Sequence, residues 1–536
     1  MFSIRISLFV FLFLLLKTVS SQQKEAIIIE SKEFDQEFNE AHKDTLNANK
    51  KNGLDEKVKQ ISDNGNKKPL NKKPTKKRFI PFVKPMDEVS IKDYKIMYLD
   101  GSEKDVDTSL SIEGEYAFNF LRKDYFEYLT FPNMGEAFNK MGYNFRELPL
   151  IPQMGAGVKH FGYFEKEDVP YYEVPSPYTE LFFKSTFQQG QNLDATLAIN
   201  TSPKFNIAVS FKGFRSLGKY LASLSRARQF RISSQYQNYN KRYRMRLHQT
   251  TQSLENQVNG GLTNDSNYFF ENAPNYVTAD ESGNPVLDEN GNEQIVFYDG
   301  FLDRNRLDTQ INADNVLKGE RYFMEHRYQM LPILKDTSVY KMSVGLRTSI
   351  ENKIYQYNQD RPGKYFNETY ENSIVVDSTM FNTIENNLFL SFKDKTLGQL
   401  NLDLYHHNWN YSIGPNEYQK DTLLSNEIKA DQIAVQAHWG KEIFGITSKV
   451  KAYQSFKKEY STQALQVNLS RPLIKDIILG ASYDYRSQPL NFNFYLVQSD
   501  FREYNWENSL LENQNFKTFD DFFIQVLDLF FNCLAL

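Results

Sequence analysis

The sequence predicts an all-β protein: a transmembrane antiparallel up-and-down β-barrel behind a disordered N-terminal extension. Three observations carry this prediction. Apolar and polar residues alternate with period two over many short runs. The runs are joined by connections that alternate between short and long. No apolar stretch beyond the N-terminus reaches the length of a spanning helix.

Composition narrows the alternatives. A mean hydropathy of -0.58 with 40% hydrophobic residues over 536 positions excludes a helical-bundle membrane protein. It is compatible with a barrel, which turns only alternate residues to lipid. The 33 Tyr and 43 Phe suit strands and interfacial girdles. The single Cys533 excludes a disulfide framework or a cysteine-based metal site. A net charge of -4 argues against nucleic acid as a partner.

Met1 to Ser21 reads as a cleaved secretory signal peptide, with cationic Arg5, an apolar core from Leu8 to Leu16 and small residues before Gln22. Residues 22–78 are polar and highly charged, ending in KKPLNKKPTKKR, and predict a disordered segment. Residues 79–177 carry short β-like runs punctuated by Pro and Gly; they predict a region at the periplasmic mouth of the barrel or partly inside it.

The barrel is expected over 178–515. Its clearest hairpin places Leu193, Ala195, Leu197 and Ile199 opposite Asp194, Thr196, Ala198 and Asn200, then repeats the pattern with Phe205, Ile207, Val209 and Phe211 against Asn206, Ala208, Ser210 and Lys212. Thr201 to Lys204 is the turn. Gly213 to Arg228 reads as a basic connection. A second hairpin follows, in which Arg242, Arg244, Arg246 and His248 share one face. An arginine on the lipid face at the midplane costs roughly 2–4 kcal/mol, so that face must meet water. Residues 250–320 read as a long insertion, placed outside the barrel or folded inward to constrict it. Further pairs turn near Asp336, Asp394, Gly440 and Pro472, for about fourteen strands in all. Phe494 and Leu496 suggest one more strand.

The segments FNFLRKDYFEYLTFPNMGEAFN, YYEVPSPYTELFFKSTFQQGQNLDATLAINTSPKFNIAVSFKGFRSLGKY and ENQVNGGL resemble the putative porin family of Bacteroidetes outer membranes. The resemblance spans about 90–515 and is most distinctive from Pro175 to Tyr220. It implies an outer-membrane β-barrel of passive permeability, and it brings no catalytic motif. Residues 516–536 form an apolar tail without alternation, which predicts that the family's C-terminal strands are missing through truncation or a frameshift near Thr518. Barrel closure is then in question, because an open edge leaves backbone groups unpaired in lipid.

No enzymatic constellation stands out. The histidines lack metal-ligand spacing, and His406 and His407 point to opposite faces of one strand. Walker A and G-x-S-x-G patterns are absent. The expectation is therefore a non-enzymatic outer-membrane pore for small hydrophilic solutes or ions, with membrane lipid as its surroundings and no cofactor, metal or nucleic acid. Its candidate pore-lining residues are Arg231, Arg242, Arg244, Arg246 and His248, which favour anions, with Asp194 and Asp403 as local offsets. Two rivals share the alternation: a closed or plugged barrel with a structural or secretion-associated role, and a soluble carbohydrate-binding β-sandwich.

Overall fold

The computed structural model describes residues 89–526, apart from 107–115, 142–149, 297–306, 331–340 and breaks of five residues or fewer. The expected signal peptide, the charged segment 22–78 and the turn near Asp336 lie outside the described residues.

Fourteen strands form one antiparallel sheet in which every strand pairs with its neighbours in sequence. They are β1 Tyr178–Thr186, β2 Gly190–Ser202, β3 Phe205–Ser216, β4 Ser225–Gln237, β5 Tyr243–Val258, β6 Ala313–Gln329 and β7 Lys341–Asp360. The sheet continues with β8 Ile374–Asp394, β9 Gly398–Ile413, β10 Glu427–Ile443, β11 Ile446–Ser455, β12 Gln463–Ile474, β13 Ile477–Gln488 and β14 Gln514–Val526. Among the described residues no ladder joins β1 to β14. No described helix is long and apolar enough to cross a membrane.

The connections alternate. One end of the sheet carries tight turns such as 203–204 and 444–445; the other carries 259–312, 414–426 and 489–513. Short turns mark the periplasmic end of an outer-membrane barrel and long loops its outer end. The hairpin β2–β3 pairs Ile199 with Ile207 and Leu197 with Val209, which is the register that its alternation demands.

The sheet is inside-out relative to a water-soluble fold. Asn192, Thr196, Asn200, Ser210, Gln229, Gln252 and Asn256 are buried, whereas Leu181, Leu197, Val209, Phe211, Leu388, Leu404 and Ile433 are exposed. A soluble sheet buries its apolar face, because water expels it. Here the apolar face is the outer one, and only lipid solvates it favourably. Toward the long connections the outward face turns polar, through Glu255, Lys318, Asn382, Asn408 and Asp431, so strands of up to 21 residues project beyond the lipid. The fold is thus an all-β, transmembrane, antiparallel up-and-down barrel.

Several boundaries differ from expectation. β3 and β4 extend the second hairpin region so that the basic connection shrinks to 217–224, and β5 and β6 shorten the long insertion to 259–312. The segment around Phe494 is a short helix, Phe492–Tyr495, with Phe492, Tyr495 and Leu496 buried; it folds back rather than adding a barrel strand. Phe492 and Leu496 pack into the apolar core inside the barrel, so this loop folds inward. The barrel does not stop at 515 either. β14 stays in register with β13 to Val526, around one irregularity between Gly480 and Ser482. An apolar run rich in Phe, Ile and Val favours a strand even without alternation, once a partner strand supplies the ladder.

The segment before β1 occupies the barrel interior and does not stop at its mouth. Lys95–Met97 pairs with Glu103–Asp105 and with Tyr171–Glu173 in a small three-stranded sheet. Toward the outer end, Asn133 bonds to Ser216 and Ser223, while Tyr453 of β11 donates to the carbonyl of Leu150. Phe120, Met154 and Tyr163 then join Leu254, Leu317, Trp409, Tyr411, Phe492 and Leu496 in an apolar core inside the barrel.

Candidate functional site in the barrel interior

Inward-facing side chains of the wall bind the backbone of the interior segment. Gln252 both donates to the carbonyl of Phe164 (2.9 Å) and accepts from its N–H (2.8 Å), which mimics a strand partner. Gln229 donates to the carbonyl of Gly162, Ser233 to that of Pro170 and Asn256 to that of Gly135. Buried backbone groups need such partners, because an unpaired one costs about as much as a lost hydrogen bond. Gly319 of β6 makes room: a methyl group there would collide with the ring and hydroxyl of Tyr163.

A web of ion pairs lies at mid-height. Arg321 reaches Glu165 at 2.9 Å and Glu351 at 2.5 Å, Lys353 reaches Glu165 at 2.8 Å, and Lys166 reaches Glu385 at 2.5 Å. The Tyr163 hydroxyl donates to Glu351 at 2.7 Å. Burial alone would raise the carboxyl of Glu165, but Lys353 and Arg321 outweigh it and hold the group down at about 2. Nearer the outer end, burial pushes Glu136 up to about 7 and Lys159 down to about 7, with Lys159 bonded to Asn256.

Six of the seven residues singled out in the sequence face inward from strands. The exception is Arg242, which precedes β5 in the turn 238–242, where its N–H donates to Asn240. Arg231 lies 3.9 Å from Asp194, with its guanidinium 4.0 Å from the centre of the Phe164 ring. Arg246 donates to Gln235 and to the carbonyl of Tyr98 at 3.0 Å each. His248 contacts the Tyr171 hydroxyl at 2.8 Å and stacks on Phe323. Asp403 accepts from Asn387 at 3.1 Å. Arg231, Arg246 and His248 therefore touch the interior segment and do not line an open lumen.

Sequence reasoning missed the partners that strand pairing brings to Arg244 and Arg246. Arg244 sits directly opposite Arg327, and Arg246 directly opposite Glu325, which in turn opposes Arg347. Arg347 donates to Glu325 at 2.8 Å; among the described residues neither Arg244 nor Arg327 has an ion-pair partner, and the Nε of each is buried without a hydrogen bond. Phe389 holds two of the guanidiniums, Arg327 at 5.0 Å and Arg347 at 4.3 Å from its ring centre. Phe389 fits because its cross-strand partner is Gly345, where a methyl group would collide with the ring. The alternation Arg321, Phe323, Glu325, Arg327 was the signal available in the sequence.

A barrel with a polar interior and an apolar outer belt defines a membrane channel-type protein of the outer membrane. The chain belongs to the family described as "Putative porin", whose model matches residues 90–524. Eleven solved chains are similar to it. They include the CymD monoaromatic hydrocarbon channel (10% identity, TM-score 0.22, covering 58% of this chain and 82% of that one). They also include the ferric citrate transporter FecA in its unliganded form (10% identity, TM-score 0.30, covering 58% of this chain and 51% of that one). No curated protein matches the chain.

Proposed function

We propose that the protein is an outer-membrane channel through which small hydrophilic solutes diffuse passively, with the interior segment as its constriction. The observation that supports this best is the inverted sheet, with Asn192, Thr196, Gln229, Arg246 and Asp403 inside and Leu197, Val209, Leu404 and Ile433 outside. Polar wall groups that do not bond to the interior segment suit an interior that accommodates water or a hydrated solute. In the conformation described, the outer half of the interior holds the apolar core around Phe492 and Tyr163, so passage requires the segment to shift past the wall. The dipeptide Glu165–Lys166, which bonds to β6, β7 and β8, is the latch.

A second reading rests on that same packing. A segment bonded to strands from β3 to β11 fits a barrel closed for good, with a structural or secretion-associated role. Single-channel recording of the full chain in planar bilayers separates the two. Alongside the parent protein it takes the charge-neutralised variant E165Q/K166Q, with heat-modifiable gel migration as the check on folding. Channel openings that become more frequent or larger in the variant support the diffusion reading. Silence from both well-folded proteins removes it in favour of the closed barrel.

A further inference from the structure

Four guanidiniums, those of Arg244, Arg246, Arg327 and Arg347, project into the periplasmic half of the interior around Glu325, and among the described residues only Arg347 forms an ion pair with it. The next carboxylates in electrostatic reach are Glu103 of the interior segment and Asp403 of β9. Like charges directly opposite each other across a ladder are destabilising, and Arg244 and Arg327 occupy that arrangement. The fold nevertheless builds support for it. Phe389, admitted by Gly345, stacks against Arg327 and Arg347, and Gln235 with the Tyr98 carbonyl fixes Arg246. A guanidinium presents five donors in a rigid fork suited to oxyanions, and those of Arg244 and Arg327 have no acceptor among the described residues.

We infer that Arg244 and Arg327, supported by Arg246 and Arg347, form a binding site for a doubly charged tetrahedral oxyanion of the phosphate class. Side chains opposite each other on one ladder rung project side by side from the wall, so both forks can reach one anion in the interior, and a charge of about -2 offsets the local excess better than a monovalent carboxylate does. The site deepens the channel reading by naming the solute class, and it rests on that reading only for how the anion arrives.

The test measures binding apart from conduction. The detergent-purified full chain is titrated with inorganic phosphate, sulfate and acetate at constant ionic strength, and its unfolding temperature is followed. Phosphate is expected to stabilise the parent protein in a saturable way, sulfate comparably and acetate much less. R244Q/R327Q should weaken phosphate at least tenfold. R244K/R327K, which keeps the charge and loses the fork, should fall between the two. R226Q/R228Q removes the same charge from the outward face, where both arginines pair with Glu255, and should bind like the parent. Phosphate that acts no differently from chloride, or equally on the parent and on folded R244Q/R327Q, overturns the site. A silent protein that binds phosphate keeps the site and loses the channel reading; a conducting protein indifferent to phosphate does the reverse.

Discussion

Two charged regions of neighbouring strands, one on β6 to β8 and one on β5 to β7, behave oppositely. At mid-height three cations, Arg321, Lys353 and Lys166, meet three anions, Glu165, Glu351 and Glu385, and each has a partner within 3 Å. A few residues nearer the periplasm, four arginines surround Glu325 alone. The difference is what the interior segment contributes. It brings Glu165 and Lys166 to the first region, where the wall is neutralised and the segment is held. To the second, among its described residues, it brings the Tyr98 carbonyl and the Tyr171 ring beside Arg246 and the more distant carboxylate of Glu103, so the excess charge there is left to a mobile ion. Paired charge seats the segment, and unpaired charge faces the solute.

The sharpest way to break this contrast is to unbalance the paired region. R321M leaves Glu165 and Glu351 with Lys353 as their remaining cation, and removal of one partner of a buried pair costs about 3–5 kcal/mol. The expected result is protease cleavage within 150–175 at concentrations that spare the parent, with the barrel still heat-modifiable. Persistent resistance would show that the backbone bonds from Gln252 and Gln229 seat the segment unaided. A second test compares adjacent residues on opposite faces of β9. L404R puts a charge on the lipid side and should destabilise by about 2–4 kcal/mol in a lipid refolding titration. D403N on the inner side keeps an acceptor for Asn387 and should cost about 1 kcal/mol or less. Equal costs would mean that Leu404 does not meet lipid.

These outcomes also bear on what the sequence made legible. Period-two alternation is local, so it exposed the hairpins from Leu193 to Phe211 and the two faces of β9. It also placed Arg244 and Arg246 inside. The segment 89–177 has no period of its own, because its side chains answer to wall residues far along the chain, such as Glu385 for Lys166 and Tyr453 for Leu150. The sequence allowed a place at the mouth or partly inside the barrel, and the wall residues that the segment meets were not legible for that reason. Arg327 and Arg347 were missed because their importance comes from register across β5, β6 and β7, over a long insertion and a turn that no single run encodes. Lack of alternation hid the strand over 516–526, where the available partner β13 decided the outcome; residues 527–536 lie outside the described residues.

A smaller effect sharpens the paired side. Glu165 ionises at about 2 in the folded protein against 4.5 for the unperturbed group, so its folded form binds its proton less readily. The stabilisation is therefore complete above about pH 4.5 and is lost as the pH falls from there toward 2. Glu165 is partly accessible from the interior, which keeps this below the effect of R321M. The protection of 157–168 against hydrogen exchange, taken relative to the intrinsic rate at each pH, should fall between pH 5 and 3 in the parent and change less in E165Q. The same slope in both would show that Glu165 is not the source of the acid sensitivity.

The unpaired side gives the smallest change, and its sign is the informative part. A like-charged pair directly across a ladder costs roughly 0.2–1 kcal/mol. R244Q/R327Q removes that repulsion and retains polar side chains on the inner face. In phosphate-free buffer the variant should be equal to the parent or more stable by up to about 1 kcal/mol in urea unfolding. In saturating phosphate the order should reverse, because only the parent gains the ligand's stabilisation. A variant less stable than the parent in both buffers would mean that the arginines hold the barrel together, as Arg321 does, and the distinction between seat and solute face would collapse.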